Sequence, residues 1–165
     1  MKTAKQWITS LSLEPHPEGG FYSRVYESSN TIHTNGGPRP SATAIHYLLE
    51  KGDFSSWHRI KYDEIWFFHS GAPLTVHQIY PDGRLLSTTL SHKHNISLTV
   101  KGGAWFCSEL LTTETENTAD NQYSLVSCVV TPGFDFEDFE MGSVKALIDL
   151  YPQHENIIYR LCREH

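Results

Sequence analysis

No stretch of this chain approaches the length of a membrane span, and the opening MKTAKQWITSLSLEPHPEGG has no apolar segment long enough for a secretory signal. Both absences predict a soluble cytoplasmic protein. Basic residues are also scarce: 13 Lys and Arg against 19 Asp and Glu give a net charge of −6, with the cations scattered singly. No basic stripe is present, so nucleic acid is not expected as a partner. The 3 cysteines, Cys107, Cys128 and Cys162, are odd in number, far apart and outside any CxxC spacing. Neither a disulfide framework nor a zinc ribbon follows, and buried free thiols are expected. Long helical patterns are missing from the middle of the chain, and so is any repeat with the period of a solenoid.

What is present suits one compact domain spanning 1–165, with 39% apolar and 12% aromatic residues to fill a core. From Phe21 to about Val130 the chain reads as short β runs: FYSRVYES, TAIHYLLE, SSWHRI, EIWFFHS, LTVHQIY, RLLSTTL, ISLTV, AWFCSEL and YSLVSCVV. Turn signals KGD, SGAP, PDG, KHN, KGG and TENTADN separate most of them. Such spacing predicts an all-β sandwich or barrel over about 20–140. A short helix is expected over Thr3 to Leu11, ended by EPHPEGG, and helical segments over 144–163, with Pro152 at a first turn, should pack outside the barrel. TTETENTADN, residues 112–121, reads as an exposed loop.

The most informative segment is Gly52 to Gly71, GDFSSWHRIKYDEIWFFHSG. It resembles the first motif of the cupin superfamily, Gly-x5-His-x-His-x3-Glu-x6-Gly, with His58 and Glu64 in place and Ile60 where a second histidine stands. On a strand, residues two apart share a face, so His58 and Ile60 point together into a barrel. The partner motif, Pro-x-Gly-x2-His, aligns on VKGGAWFCSEL and puts Lys101 at its proline and Phe106 at its histidine. In metal-binding cupins these positions supply three histidines and a glutamate to a divalent ion. Here two of those ligands are apolar, whereas zinc or iron sites of a catalytic kind generally use three protein ligands. No cofactor is therefore expected; a weak divalent metal, held by His58 and Glu64 if at all, stays open. His77 or Gln78 would complete an unusual site, alternation allowing only one of them to face inward.

Further stretches narrow the resemblance. LEPHPEGGFYSRVY, SATAIHYLL, the core from Trp57 to Gly71, PDG, GAWFCSEL and TPGFDFEDFEMGS are similar, in order, to the fifth cupin group, first catalogued as a domain of unknown function. That resemblance implies a double-stranded β-helix, the cupin jelly-roll barrel, with a short N-terminal helix and a C-terminal helical tail. It also implies a homodimer and kinship in form with sugar-nucleotide epimerase cupins, and it supplies no reaction.

Two functions compete. In the first, the barrel binds a small polar, aromatic or carbohydrate-like ligand without a tightly bound metal. Trp57, Trp66, Phe68 and Phe106 shape the cavity, and His58, Glu64 and Arg24 orient the ligand. In the second, the protein is a metal-independent isomerase or epimerase with His58 as base, Glu64 orienting it, and Tyr62 or Tyr47 as proton donor. His58 and Glu64 are the catalytic candidates; their plainer role is a hydrogen-bonded pair inside an apolar barrel. HPEGG and Arg24 together suit an anionic ligand group at the mouth, or Glu18 or Glu14 pairs with Arg24 instead. PGFDFEDFE, with Phe134, Phe136 and Phe139 among acids, lines a pocket or covers a sheet face.

Overall fold

The computed structural model describes residues 2–111 and 122–163; the expected loop at 112–121 lies outside them. A helix α1 (Ala4–Ser10) opens the chain and is followed by strands β1 (Glu14–Pro15), β2 (Phe21–Glu27), β3 (Thr31–Thr34), β4 (Gly37–Pro40), β5 (Thr43–Glu50) and β6 (Phe54–Ile60). Next come β7 (Asp63–Gly71), β8 (Leu74–Ile79), β9 (Leu85–Leu90), β10 (Ser97–Val100), β11 (Trp105–Leu110), β12 (Tyr123–Thr131) and β13 (Phe139–Met141). Helices α2 (Val144–Leu150) and α3 (Glu155–Arg160) follow, with a 3-10 turn at Pro152–His154 between them.

The strands form a six-stranded sheet in the order β1-β2-β5-β12-β7-β10 and a five-stranded sheet in the order β13-β6-β11-β8-β9, with β3 and β4 as a separate hairpin. Every pairing within these sheets is antiparallel. Consecutive β6 and β7 belong to different sheets, as do β7 and β8, so the chain winds between the layers as a jelly roll does.

Alternation decides what each strand buries. Tyr47 and Leu49 of β5, Ile60 of β6, Trp66 and Phe68 of β7, Leu74 and Val76 of β8 and Phe106 of β11 meet between the sheets. Their neighbours face outward. Trp57, Ile79, Trp105 and Cys107 pack on the outer side of the five-stranded sheet under Leu147, Ile158 and Leu161 of the helical tail. Each such aliphatic side chain contributes roughly 1.5–3 kcal/mol by leaving water, which is what docks two helices of seven and six residues. On the other outer face α1 covers Leu48, Tyr123 and Leu125 with Trp7, Ile8 and Leu11. Its start is fixed by a reciprocal cap: Thr3 Oγ1 accepts from the Gln6 N–H at 3.3 Å and the Thr3 N–H donates to Gln6 Oε1 at 2.8 Å.

Candidate functional site

His58 enters the barrel because it alternates with Trp57, and the same alternation sends Trp57 away from the cavity. Trp57 is therefore a tail-packing residue, and its expected place in a ligand pocket is corrected: its ring lies in the outer cluster and its Nε1–H donates to the Ile157 carbonyl at 3.3 Å. Phe68 faces inward but lies farther along the core, edge-on to His92 at 5.0 Å, and does not line the cavity at His58. Phe106, fully buried, packs on the His58 ring with 4.0 Å between centroids but does not itself line the cavity. Trp66 does line the cavity.

The partner of His58 is not Glu64 but Glu18, from the HPEGG turn between β1 and β2. His58 Nε2 lies 3.0 Å from Glu18 Oε2, and His58 Nδ1 lies 2.7 Å from the Ser56 carbonyl oxygen. A carbonyl only accepts, so Nδ1 carries a proton. An ionised carboxylate also only accepts, so Nε2 carries one as well, and His58 is an imidazolium. Burial raises the Glu18 carboxyl, yet the His58 and His16 rings and hydrogen bonds from His58 and Ser55 outweigh it and hold it at about 2. Burial likewise favours neutral His58, but the charge and hydrogen bond of Glu18 win and raise it above its ordinary value. Ser55 completes the carboxylate's partners, its hydroxyl donating to Glu18 Oε1 at 2.9 Å.

His16, from the same turn, behaves differently. The Glu18 backbone N–H donates to His16 Nδ1 at 3.3 Å, which makes that nitrogen an acceptor and the ring neutral. Burial lowers its pKa further, against the pull of Glu18. Its 3.4 Å approach to Glu18 Oε2 is thus a polar contact rather than an ion pair.

Glu64 enters from β7 and is buried without a cation of its own. Burial first, and then the negative charge of Glu18, push it up to about 7, with His58 opposing. The Trp66 indole N–H lies close enough to favour its charged form but is buried without a full hydrogen bond. Glu64 consequently sits between acid and carboxylate at neutral pH.

Around these four groups stand Tyr22, Tyr47, Ile60, Phe134 and Phe139. The cavity is about 530 Å³ with its mouth included, of which about 40 Å³ is open to the centre of a water molecule. In this closed arrangement it has room for a few ordered waters. Phe134 and Phe139, both half-buried, close one side of it. The Phe-rich segment therefore lines the pocket, and its acids hold it in place. Arg39 of the β3–β4 hairpin, 5% exposed, binds Asp138 through Nε at 2.8 Å and Glu137 through Nη2 at 3.2 Å.

Arg24 lies at the rim, exposed. It pairs with Glu27 at 2.6 Å, and Nη2 reaches the Phe134 carbonyl at 3.4 Å. Neither Glu18 nor Glu14 is its partner. Tyr47 donates its hydroxyl to the Gly19 carbonyl at 2.9 Å, and burial holds it well above its ordinary pKa. Tyr62 does not line the cavity, and its hydroxyl is buried without a hydrogen bond. His77 faces outward between Ser87 at 2.7 Å and Glu109 at 2.9 Å, while Gln78 is buried beside Phe106 in the register.

The donor set does not fit the superfamily's metal. Ile60 and Phe106 occupy two ligand positions, Lys101 is paired with Asp63 at 2.7 Å, and His58 Nε2 faces Glu18. Among the described residues no group of three or more His, Cys, Asp or Glu side chains is arranged to hold a metal ion.

The family described as the cupin superfamily (DUF985), Cupin_5, matches residues 5–142. The chain belongs to this family. The cupin is 31% identical over 150 residues to the uncharacterized protein YML079W of Saccharomyces cerevisiae, covering 81% of this chain and 72% of that one. Two solved structures resemble it over nearly their whole length. A hypothetical protein from Leishmania major has a TM-score of 0.91 at 36% identity, covering 99% of this chain and 100% of the other. Protein SO0799 from Shewanella oneidensis has a TM-score of 0.88 at 36% identity, covering 100% of both chains. No helix among the described residues is long and apolar enough to cross a membrane.

Proposed function

We propose that this cupin binds a small polar compound of about one ring, carbohydrate-like or aromatic, between Phe134, Phe139, Trp66 and Tyr22, without a metal. One observation carries the reading: the buried carboxyl of Glu64 lines an aromatic cavity beside a His58–Glu18 ion pair, where burial and the Glu18 charge favour its protonated form. A carboxylic acid of this kind both donates and accepts hydrogen bonds at pH 7, which suits hydroxyl groups. The aromatic walls suit the flat or apolar faces of a ring.

A screen of monosaccharides, sugar acids and aromatic hydroxy acids by saturation-transfer NMR tests it, on the unaltered protein and on Glu64→Lys, which puts a bulky cation into the cavity. Binding to the first and loss in the second supports the reading. Absence of binding by every compound to the unaltered protein counts against it.

The second reading is proton transfer at carbon, as in an isomerase or epimerase, and the pairing of His58 with Glu18 favours it. The roles then differ from those expected from the sequence. His58, with both N–H groups held by the Ser56 carbonyl and Glu18, is a fixed cation that stabilises developing negative charge, and Glu64 takes the proton as carboxylate and returns it as acid. Tyr47 keeps its proton on the Gly19 carbonyl. Incorporation of solvent deuterium into a bound sugar tests this reading; binding without exchange leaves the protein a binder.

A further inference from the structure

Glu18 reaches His58 from a turn shaped by its own hydrogen bonds, the His16 N–H on the Gly20 carbonyl at 2.9 Å and the Gly19 N–H on the His16 carbonyl at 3.0 Å, and by the Tyr47 hydroxyl on the Gly19 carbonyl. Gly19 and Gly20 have φ of +113° and +68°, conformations that side chains disfavour, and the Glu18 carboxylate is met by Ser55 at 2.9 Å and His58 at 3.0 Å, with His16 at 3.4 Å. The turn's backbone is fastened from the other side of the molecule. Arg163, just beyond α3, donates through Nη1 to the Glu18 carbonyl at 2.9 Å and to the Phe54 carbonyl at 2.9 Å. Its Nη2 pairs with Asp53, whose other carboxylate oxygen accepts from the Gly20 N–H at 3.0 Å. The guanidinium lies over the Phe54 ring at 4.2 Å. It also fills the space beside Gly19, where an added Cβ would lie 2.8 Å from both Nη atoms. Its own backbone N–H is tied to Ser56 Oγ at 3.0 Å, and the Ser56 N–H donates to the Glu18 carbonyl at 2.7 Å.

We propose that Arg163 is a positioning residue for the pocket: it clamps the Glu18 turn to β6 so that the carboxylate stays against His58. The proposal rests on the reading of His58 and Glu18 as the ligand-facing pair. A planar fork serves two carbonyls, a carboxylate and a ring face together, which a lysine ammonium does not. Arg163 touches no ligand-facing atom; it acts through Glu18.

The sign of one measurable effect separates this role from plain electrostatics. Removing a nearby cation by itself makes an imidazolium easier to form and moves His58 upward. Letting Glu18 drift removes the carboxylate that offsets burial and moves His58 downward. The other groups facing that ring are His16 from the turn and Glu64 from β7, with Phe106 and Phe139 as apolar neighbours.

The test is the pH titration of His58 by imidazole ¹⁵N NMR in ligand-free protein. Arg163→Met is expected to titrate lower than the unaltered protein by about one pH unit, with Arg163→Lys between them. Arg160→Met, on α3 but paired with Glu109, is expected to leave His58 in place. A folded Arg163→Met protein whose His58 is unmoved or shifted upward overturns the proposal. If that variant fails to fold, Arg163→Lys keeps the charge but loses the fork and must by itself move His58 downward; an unmoved His58 there overturns it equally. A downward shift in a protein that binds no compound leaves the clamp standing while the ligand reading falls.

Discussion

Glu18 Oε2 and His58 Nε2 lie 3.0 Å apart in the barrel, one from a glycine-flanked turn and the other from the middle of a strand. The pair does what neither motif position alone predicts: it keeps a charged imidazole in a cavity where Ile60 and Phe106 occupy the other two histidine positions of the motif. Both ring nitrogens are committed, so with Glu18 ionised His58 must carry a proton on each.

Replacing Glu18 with Gln should therefore strand His58. We expect a loss of about 3 kcal/mol in folding stability at pH 7, measured by urea unfolding, since removing one partner of a buried pair leaves the other uncompensated. His58 should lose its charge in the same variant, visible in its ring ¹⁵N shifts. A cost within experimental error would mean that the pair is not formed in solution.

Stability should be greatest in mildly acid solution. Glu18, depressed to about 2, contributes stability that is present above about 4.5 and lost as pH falls toward 2. Glu64, raised to about 7, binds more protons folded than unfolded, so its effect weakens the fold as pH rises from about 4.5 to 7. His58, also raised, contributes most below about 6.5 and less as pH climbs through its folded value. Glu64→Gln should flatten the limb above pH 5 and gain roughly 1–3 kcal/mol at pH 8 relative to the unaltered protein. Melting curves across pH measure this directly.

Opening the mouth should relax Glu64. Phe139→Ala removes a ring that packs 5.5 Å from His58 and 5.9 Å from His16. Water then reaches the carboxyl, and its midpoint should fall by about one pH unit. Trp57→Phe, on the outer face of the same sheet, should leave that midpoint alone while lowering stability, a contrast that places the two aromatics on opposite sides of β6.

Metal uptake distinguishes this site from the one its motif resembles. After equilibration with zinc, manganese, nickel or ferrous iron and gel filtration, elemental analysis should find well under one ion per chain. Stoichiometric retention of any of them, lost in His58→Ala, would contradict the reading of the donor set.

Much of the barrel is legible in the sequence because its strands are rich in β-branched and aromatic residues and its turns carry Gly, Pro, Asp and Asn. The nine β runs read from the sequence match β2 and β5 to β12 to within a residue or two at their ends. The β3–β4 hairpin is not legible, because Pro38 and Pro40 break the pattern of a strand, and what ties it to the rest is remote in sequence: the Arg39–Asp138 pair and the Gly133 N–H on the Pro40 carbonyl. The site divides in the same way. Strand alternation puts His58, Ile60, Glu64 and Trp66 inside, and used strictly it also puts Trp57 outside. Glu18 and His16 lie in a Pro- and Gly-rich turn that reads as surface, and their burial depends on contacts remote in sequence. The one local hint is His58 itself: with Ile60 and Phe106 apolar, a buried imidazole needs a partner from elsewhere.

The most direct test is a carboxyl ¹³C NMR titration of glutamate-labelled protein, with Glu64→Gln and Glu18→Gln to assign the signals, which asks whether Glu64 takes up a proton near neutral pH while Glu18 beside it stays ionised there. A Glu64 midpoint near 7 and a Glu18 signal that stays ionised well below that are expected. A Glu64 midpoint in the ordinary carboxylate range, near 4.5, would contradict that expectation.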